Sequence, residues 1–378
     1  MAVCARLVAL GSAVVVAAQA WAAPPRFVAA PGSPIRVGAR PSGVATGDLN
    51  RDGKPDLVVA VGGTSTLSIL LGDGRGRFSP APALPVASPP HIAEIGDVDR
   101  DGNPDLVATG HDSHGVFVWL GDGTGRFGSA VGSPYPALPG GKPHNHGLAL
   151  GDIDRDGALD VATTDDGAHV VAVLLGDGRG SFRPAARSPF PVGRQPYPPA
   201  LGDLDRDGCL DVVTPDVESG TLSVLRGDGR GGFAAAKGSP VRVTARPYFV
   251  ALGDLDADGV LDAVASHDDV SLVTVLLGDG RGGFRAAAGS PVDLGRRAWK
   301  AVIHDVDGDG KRDLVLGSGD GVIVRLGDGR GGLAPAGSPL PTGRGAWSLA
   351  VGDLDGDGKA DVATADVESG TLSVLLLK

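Results

Sequence analysis

The chain has 378 residues, among them 62 Gly, 29 Pro, two Cys and one Met, and 42 % of it is hydrophobic. Such an apolar chain is not disordered, and so much Gly and Pro points to a compact, turn-rich, all-β protein. A net charge of −11 argues against a nucleic-acid partner held by a basic surface, and two cysteines exclude a disulfide scaffold.

Residues 1–22 read as a secretory signal peptide: Arg6, an apolar stretch from Leu7 to Ala18, then the small-x-small pattern Ala20-Trp21-Ala22. The apolar run is shorter than the ~20 residues that a membrane span needs. The expectation is therefore a secreted chain, extracellular or periplasmic, not inserted in a membrane. Its single folded domain would cover 23–378.

Repeats dominate the remainder. The nonapeptide D-x-D/N-x-D-G-x-x-D starts at Asp48, Asp97, Asp152, Asp203, Asp254, Asp305 and Asp353, at steps of 48 to 55 residues. A second motif, G-D-G-x-G-x-F/L, follows at Gly72, Gly121, Gly176, Gly227, Gly278 and Gly327. Each unit reads as four short strands. Strand A precedes the Asp loop (Tyr248–Gly253), strand B follows it (Asp262–Ser266), strand C ends at the second motif (Leu272–Leu277), and strand D starts at the Phe. Seven such units predict a seven-bladed β-propeller with four strands per blade. The last unit lacks its strand D. The segment from Arg26 to Val37 matches the strand D of other units, so the N-terminal strand should complete the last blade and close the ring.

In the Asp loop, side chains at positions 1, 3, 5 and 9 and the backbone carbonyl of position 7 can converge on one hard cation. The first loop offers Asp48, Asn50, Asp52, Lys54 (carbonyl) and Asp56; the second Asp97, Asp99, Asp101, Asn103 and Asp105. The third offers Asp152, Asp154, Asp156, Ala158 and Asp160; the fourth Asp203, Asp205, Asp207, Cys209 and Asp211. The fifth offers Asp254, Asp256, Asp258, Val260 and Asp262; the sixth Asp305, Asp307, Asp309, Lys311 and Asp313; the seventh Asp353, Asp355, Asp357, Lys359 and Asp361. Four carboxylates on nine residues repel one another without a cation. Calcium, up to seven ions, is the expected occupant, in a structural role. Cys209 needs only its carbonyl there.

The two motifs together resemble the FG-GAP/VCBS repeats of integrin α-subunit propellers and of many secreted bacterial proteins, over about residues 26–378. The resemblance implies a calcium-binding propeller used for adhesion or ligand binding. Some relatives are lectins and some are polysaccharide lyases.

One column of the repeat stands out. Six residues before each first Asp lie Ser42, His91, His146, Tyr197, Tyr248, Trp299 and Trp347. Strand A is innermost in a propeller blade, so this column should ring the channel mouth, opposite the Asp loops. Nineteen residues later lies a second column: Val61, Gly110, Asp165, Asp216, His267, Ser318 and Asp366. Expected neighbours are His146 with Asp165, Tyr197 with Asp216, Tyr248 with His267, and Trp347 with Asp366. Flat aromatics beside carboxylates and imidazoles suit a sugar. Arg194, Arg246, Arg296, Arg297 and Arg344 nearby could instead meet an acidic glycan. The aromatics could equally extend the packing between blades. The third blade's approach, from Gly140 to Gly147, is longer than the others. With His144, His146, His169, Asp165 and Asp166 near it, a transition-metal site is conceivable there, beside the plainer reading of a polar loop at the rim.

The leading expectation is a binding module for a carbohydrate or an extracellular protein. The alternative is a polysaccharide lyase or hydrolase using the His/Tyr/Asp rim. No nucleophile elbow, phosphate loop or H-E-x-x-H motif is present.

Overall fold

The computed structural model describes residues 25–138, 144–337 and 339–378. The expected signal peptide, and residues 140–143 of the long third approach, lie outside the described residues. The chain is a seven-bladed β-propeller of antiparallel sheets, with no helix among the described residues.

Blade 1 shows the plan. Strand A (Pro41–Gly47) runs to the Asp loop, strand B (Asp56–Val61) returns, strand C (Thr66–Gly72) runs back, and strand D is split into Phe78–Pro80 and Leu84–Pro85. Both pieces of strand D pair with the same strand C. In blades 2 to 5 and 7 a Ser-Pro segment spans the gap: the Val118 N–H donates to Ser133 Oγ, and Val173, Val224, Val275 and Val374 do the same to Ser188, Ser239, Ser290 and Ser33, each at 2.9 Å. The serine hydroxyl thus satisfies a backbone donor that the interrupted strand leaves open.

Closure follows the sequence expectation. Phe27–Ala29 pairs with the last strand, Thr371–Leu377, through Phe27↔Leu377, and Ile35 pairs with Leu372. Strand A of blade 7 (Ala346–Gly352) then packs beside strand A of blade 1, so the innermost strands form a closed ring. No single core exists. Each main apolar cluster is a layer between two blades, such as Val107, Val118, Val161 and Leu174 between blades 2 and 3, or Val59, Leu70, Ala363 and Val374 across the closure. The alternating apolar positions of strands B and C supply both sides of each layer.

The first Gly of the G-D-G turn is fixed by a close approach. A Cβ at Gly72 or Gly121 would lie 2.1 Å from the carbonyl oxygen of Pro55 or Pro104 in the Asp loop of the same blade. This contact welds the C–D turn to the Asp loop, which is why the two motifs recur together.

Candidate functional site

The Asp loops occupy one end of the propeller. Position 6 is a glycine with φ near +80° in every loop, from Gly53 (80°) to Gly358 (83°). Position 4 is also left-handed, which no motif signals: in the first four loops it is Arg51 (57°), Arg100 (60°), Arg155 (63°) and Arg206 (62°), and in the last three Ala257 (61°), Gly308 (76°) and Gly356 (77°). Each such conformation costs a non-glycine residue roughly 1 kcal/mol. It aims the arginine at the next blade. Arg51 donates to Asn103 Oδ1 at 3.0 Å, Arg100 to the Asp156 carbonyl at 2.9 Å, and Arg206 to the Asp258 carbonyl at 3.0 Å. Arg155 reaches Cys209 Sγ of blade 4 at 4.0 Å, so the loops are linked in series from blade 1 to blade 5, most loosely between blades 3 and 4.

Inside each loop the carboxylates divide the work. Position 1 accepts the N–H of position 6 (Gly53 to Asp48, 2.9 Å), and position 5 accepts the N–H of position 7 (Lys54 to Asp52, 3.0 Å). Position 9 is fully buried and accepts two backbone N–H groups in every blade. For Asp160 these come from Ile153 at 2.8 Å, inside the loop, and from Gly176 at 2.8 Å, at the end of strand C. This stapling role was not foreseen. Burial raises the carboxyls of Asp105, Asp160, Asp211, Asp313 and Asp361 to about 6, against the hydrogen bonds from the two backbone N–H groups, which act downward.

These loops can hold a metal ion. Carboxylate oxygens of Asp152, Asp154 and Asp160 lie within 4.8 Å of one another, as do those of Asp203, Asp205 and Asp211, and of Asp254, Asp256 and Asp262. Buried oxygens of Asp97, Asp152, Asp205, Asp256 and Asp355 have no hydrogen-bond partner among the described residues. Each belongs to a different loop, and an unpaired buried carboxylate oxygen among other carboxylates is what a cation would satisfy.

The opposite end carries a cup of about 470 Å³, and Ser42, His91, His146, Tyr197, Tyr248 and Trp347 line it. Trp299 stacks behind Trp347, with ring centroids 5.4 Å apart and planes 20° apart. The rings form one continuous wall. His146 stacks on Tyr197 at 3.9 Å, Tyr197 meets Tyr248 at 4.3 Å, and Tyr248 meets Trp347 edge-on at 5.4 Å. Blade packing and cup lining are both realised. Tyr248 is buried with Val217 and Phe249, whereas Tyr197, Trp299 and Trp347 keep part of their surface open.

A β-bulge aims the column inward. In blades 1, 2, 3, 5 and 7 the pairing of strands A and B skips one residue, and that residue is Ser42, His91, His146, Tyr248 or Trp347. In blade 6 both Trp299 and Lys300 are skipped. A bulged residue leaves the pleat, and its side chain turns away from the blade face.

The bulge also corrects the expected neighbours. Asp165 pairs with Asn145, Asp216 with Pro196, His267 with Pro247 and Asp366 with Ala346, each one residue short of the aromatic partner. Asp165, Asp216, His267 and Asp366 are at most 1 % exposed, so they are not part of the cup wall. Asp216 accepts hydrogen bonds from Thr214 (3.0 Å), Thr221 (3.0 Å) and Ser223 (2.7 Å), and Asp366 repeats this with Thr364, Thr371 and Ser373. Burial lifts Asp216 to about 6 even against those three hydroxyls. His267 shares a 2.9 Å hydrogen bond with Thr274.

The column that does meet the rings lies one residue further on: Gly62, His111 and Val367 line the cup, Val217 packs on Tyr248, and Asp166 Oδ2 lies 3.2 Å from His146 Nε2. A twenty-residue offset in the repeat alignment would have found it. His169 is not among the residues of the cup; its Nδ1 accepts the Gln195 N–H at 3.2 Å.

The aromatic stretch of the wall is uncharged, although Arg40 and Asp112 also line the cup. Burial pushes His91 down to about 3 and lowers His146 as well, while it raises Tyr197 and Tyr248. At neutral pH all four rings are uncharged. Around the rim, Arg194 pairs with Glu218 (2.5 Å), Arg246 with Asp268 (3.4 Å), Arg296 with Asp320 (3.0 Å) and Arg344 with Glu368 (2.9 Å). Four of the five arginines proposed for an acidic glycan already have an acid beside them.

A seven-bladed propeller with acid-rich loops at one end and an aromatic cup at the other defines the class. The chain belongs to the FG-GAP-like repeat family, whose model matches residues 48–108, 97–163, 152–214 and 305–364. No curated protein matches the sequence. Among solved structures, the chain is similar to BBS1N, solved in complex with ARL6DN (15 % identity, TM-score 0.65, covering 91 % of this chain and 94 % of that one). It is also similar to an Agrocybe aegerita lectin that recognises non-reducing terminal N-acetylglucosamine (18 %, TM-score 0.57, 88 % and 87 %). A third is virginiamycin B lyase from Staphylococcus aureus (12 %, TM-score 0.60, 93 % and 100 %). At these identities the likeness shows the fold alone.

Proposed function

We propose that this chain is a secreted, calcium-braced propeller that binds a ligand in its aromatic cup, a carbohydrate ahead of an extracellular protein. The observation that carries this reading is the convergence of six residues from one repeat column on a single cavity of about 470 Å³. Tyr197 and Trp347 keep open ring surface on which the apolar face of a sugar can stack. The Asp loops offer only oxygen donors, the set calcium takes, and they stand at the far end from the cup. Their ions would brace the A–B turns and play no part in recognition. The leader-like residues 1–22 support export.

His91, His146 and Tyr197 stand side by side in the cup, and this supports a second reading, a polysaccharide lyase or hydrolase with those groups as acid and base. A glycan array probed with calcium-loaded protein and with a Trp299→Ala/Trp347→Ala double variant tests the first reading. Binding by the wild type and its loss in the variant is the expected result. No binding by either protein would count against a sugar ligand. Unsaturated products absorbing in the near ultraviolet would favour the lyase.

A further inference from the structure

We propose that His111, His144 and His146, with Asp166, form a binding site for a divalent transition-metal ion of the zinc type on the wall of the cup, separate from the Asp loops. One nitrogen from each imidazole lies within 4.8 Å of the other two. The three rings stand nearly perpendicular to one another: 84° between His111 and His144, 81° between His144 and His146, and 90° between His111 and His146. Packing alone favours offset-stacked rings as readily as edge-on ones. Three mutually orthogonal imidazoles instead resemble ligands arranged around a centre. His144 Nδ1 and His146 Nε2 are 3.2 Å apart. Two nitrogens each bonded to zinc at about 2.0–2.1 Å in a tetrahedron are separated by roughly that distance.

The surroundings fit a metal. Asp166 is buried, and its carboxylate lies 2.5 Å from His144 Nδ1 and 3.2 Å from His146 Nε2, a negative charge beside two of the three imidazoles. The outer nitrogen of His111 is already engaged. His111 Nδ1 is 2.8 Å from Asp112 Oδ1, which leaves Nε2 for the ion and reproduces the carboxylate–histidine pairing common around metal sites. His146 is 4 % exposed and fixed by its place in the bulge. Backbone bonds tie the contributing segments together: the Asn145 N–H donates to the His111 carbonyl (3.1 Å) and the Asp166 N–H to the His144 carbonyl (3.2 Å). Imidazole with one carboxylate suits zinc and its neighbours, whereas calcium prefers oxygen throughout. His111, His144 and His146 all line the cup, so the ion would border the cavity.

The test is independent of any glycan readout. With calcium held saturating, Zn²⁺ is titrated calorimetrically and Co²⁺ is followed by its visible absorption, which is intense only for a low-coordinate site. Wild type should bind one equivalent beyond the calcium sites. His144→Ala, at a partly exposed position, should weaken this by ~100-fold or more, and Asp112→Asn by roughly 10–100-fold through loss of orientation. His169→Ala, outside the triad, should bind as wild type does. Unchanged melting temperatures of the metal-free variants will show that they fold. Absence of binding by the wild type, or equal binding by His144→Ala, would overturn the proposal.

Discussion

The two ends of this propeller are built from the same repeat and obey opposite rules. At the loop end every blade is nearly the same: 27 Asp and one Asn fill the 28 side-chain positions that face the candidate ions. At the cup end the column changes with every pair of blades, from Ser42 through His91 and His146 to Tyr197, Tyr248, Trp299 and Trp347. Uniformity suits a brace, because each blade must close the same turn. Variation suits recognition, because a ligand reads a single surface assembled from different blades. The same strand A joins the two, and its bulge lets one residue leave the sheet without disturbing the loop six residues away.

If the loop end is a brace, chelation should have the largest effect. Each ion at 100 times its dissociation constant contributes about 2.7 kcal/mol, so stripping the loops should lower the melting temperature by on the order of 10 °C or more. Calorimetry with and without chelator measures it. Next comes Asp160→Ala, which orphans the N–H groups of Ile153 and Gly176 and should cost about 2–4 kcal/mol by denaturant titration. At the cup end, Trp347→Ala should cost more in binding than in stability: ligand affinity falls at least ~10-fold while calcium content is unchanged. A loss of calcium in that variant would break the comparison. Arg100→Ala removes one exposed clasp between loops and should shift the melting temperature by no more than ~2 °C.

A further prediction concerns pH. Asp216 titrates near 6 in the folded protein because it is buried, and near 4 in an unfolded chain. Between those values the folded state holds a proton that the unfolded state releases. This contribution to stability is therefore full below about pH 4 and is lost as pH rises through about 6. Asp216→Asn should flatten that part of the stability profile relative to wild type, as denaturant melts at pH 4, 5, 6 and 7 would show.

Much of this was legible in the sequence because repetition averages out local ambiguity. Seven copies of one nonapeptide fix where strands A and B turn, and the truncated last unit together with Arg26–Val37 gives the closure. The aromatic column was visible for the same reason. Its partners were not, because a bulge is a backbone event: Trp347 is skipped between Ala346 and Ser348, and an alignment by column carries no trace of the slip. Asp216 and Asp366 looked like cup residues because they are acidic and stand near the end of strand B. In the fold, the Thr and Ser hydroxyls of strands B and C absorb them. No repeat pattern marks His111, because its blade alone carries a histidine at that position, and only the fold brings it to His144 and His146.

The division of labour can be tested most directly by calcium stoichiometry, measured by elemental analysis on wild type and on Trp299→Ala/Trp347→Ala side by side. The account predicts the same content in both proteins, approaching seven ions per chain. A content near zero in the wild type, or a fall in calcium when only the cup is altered, would contradict it.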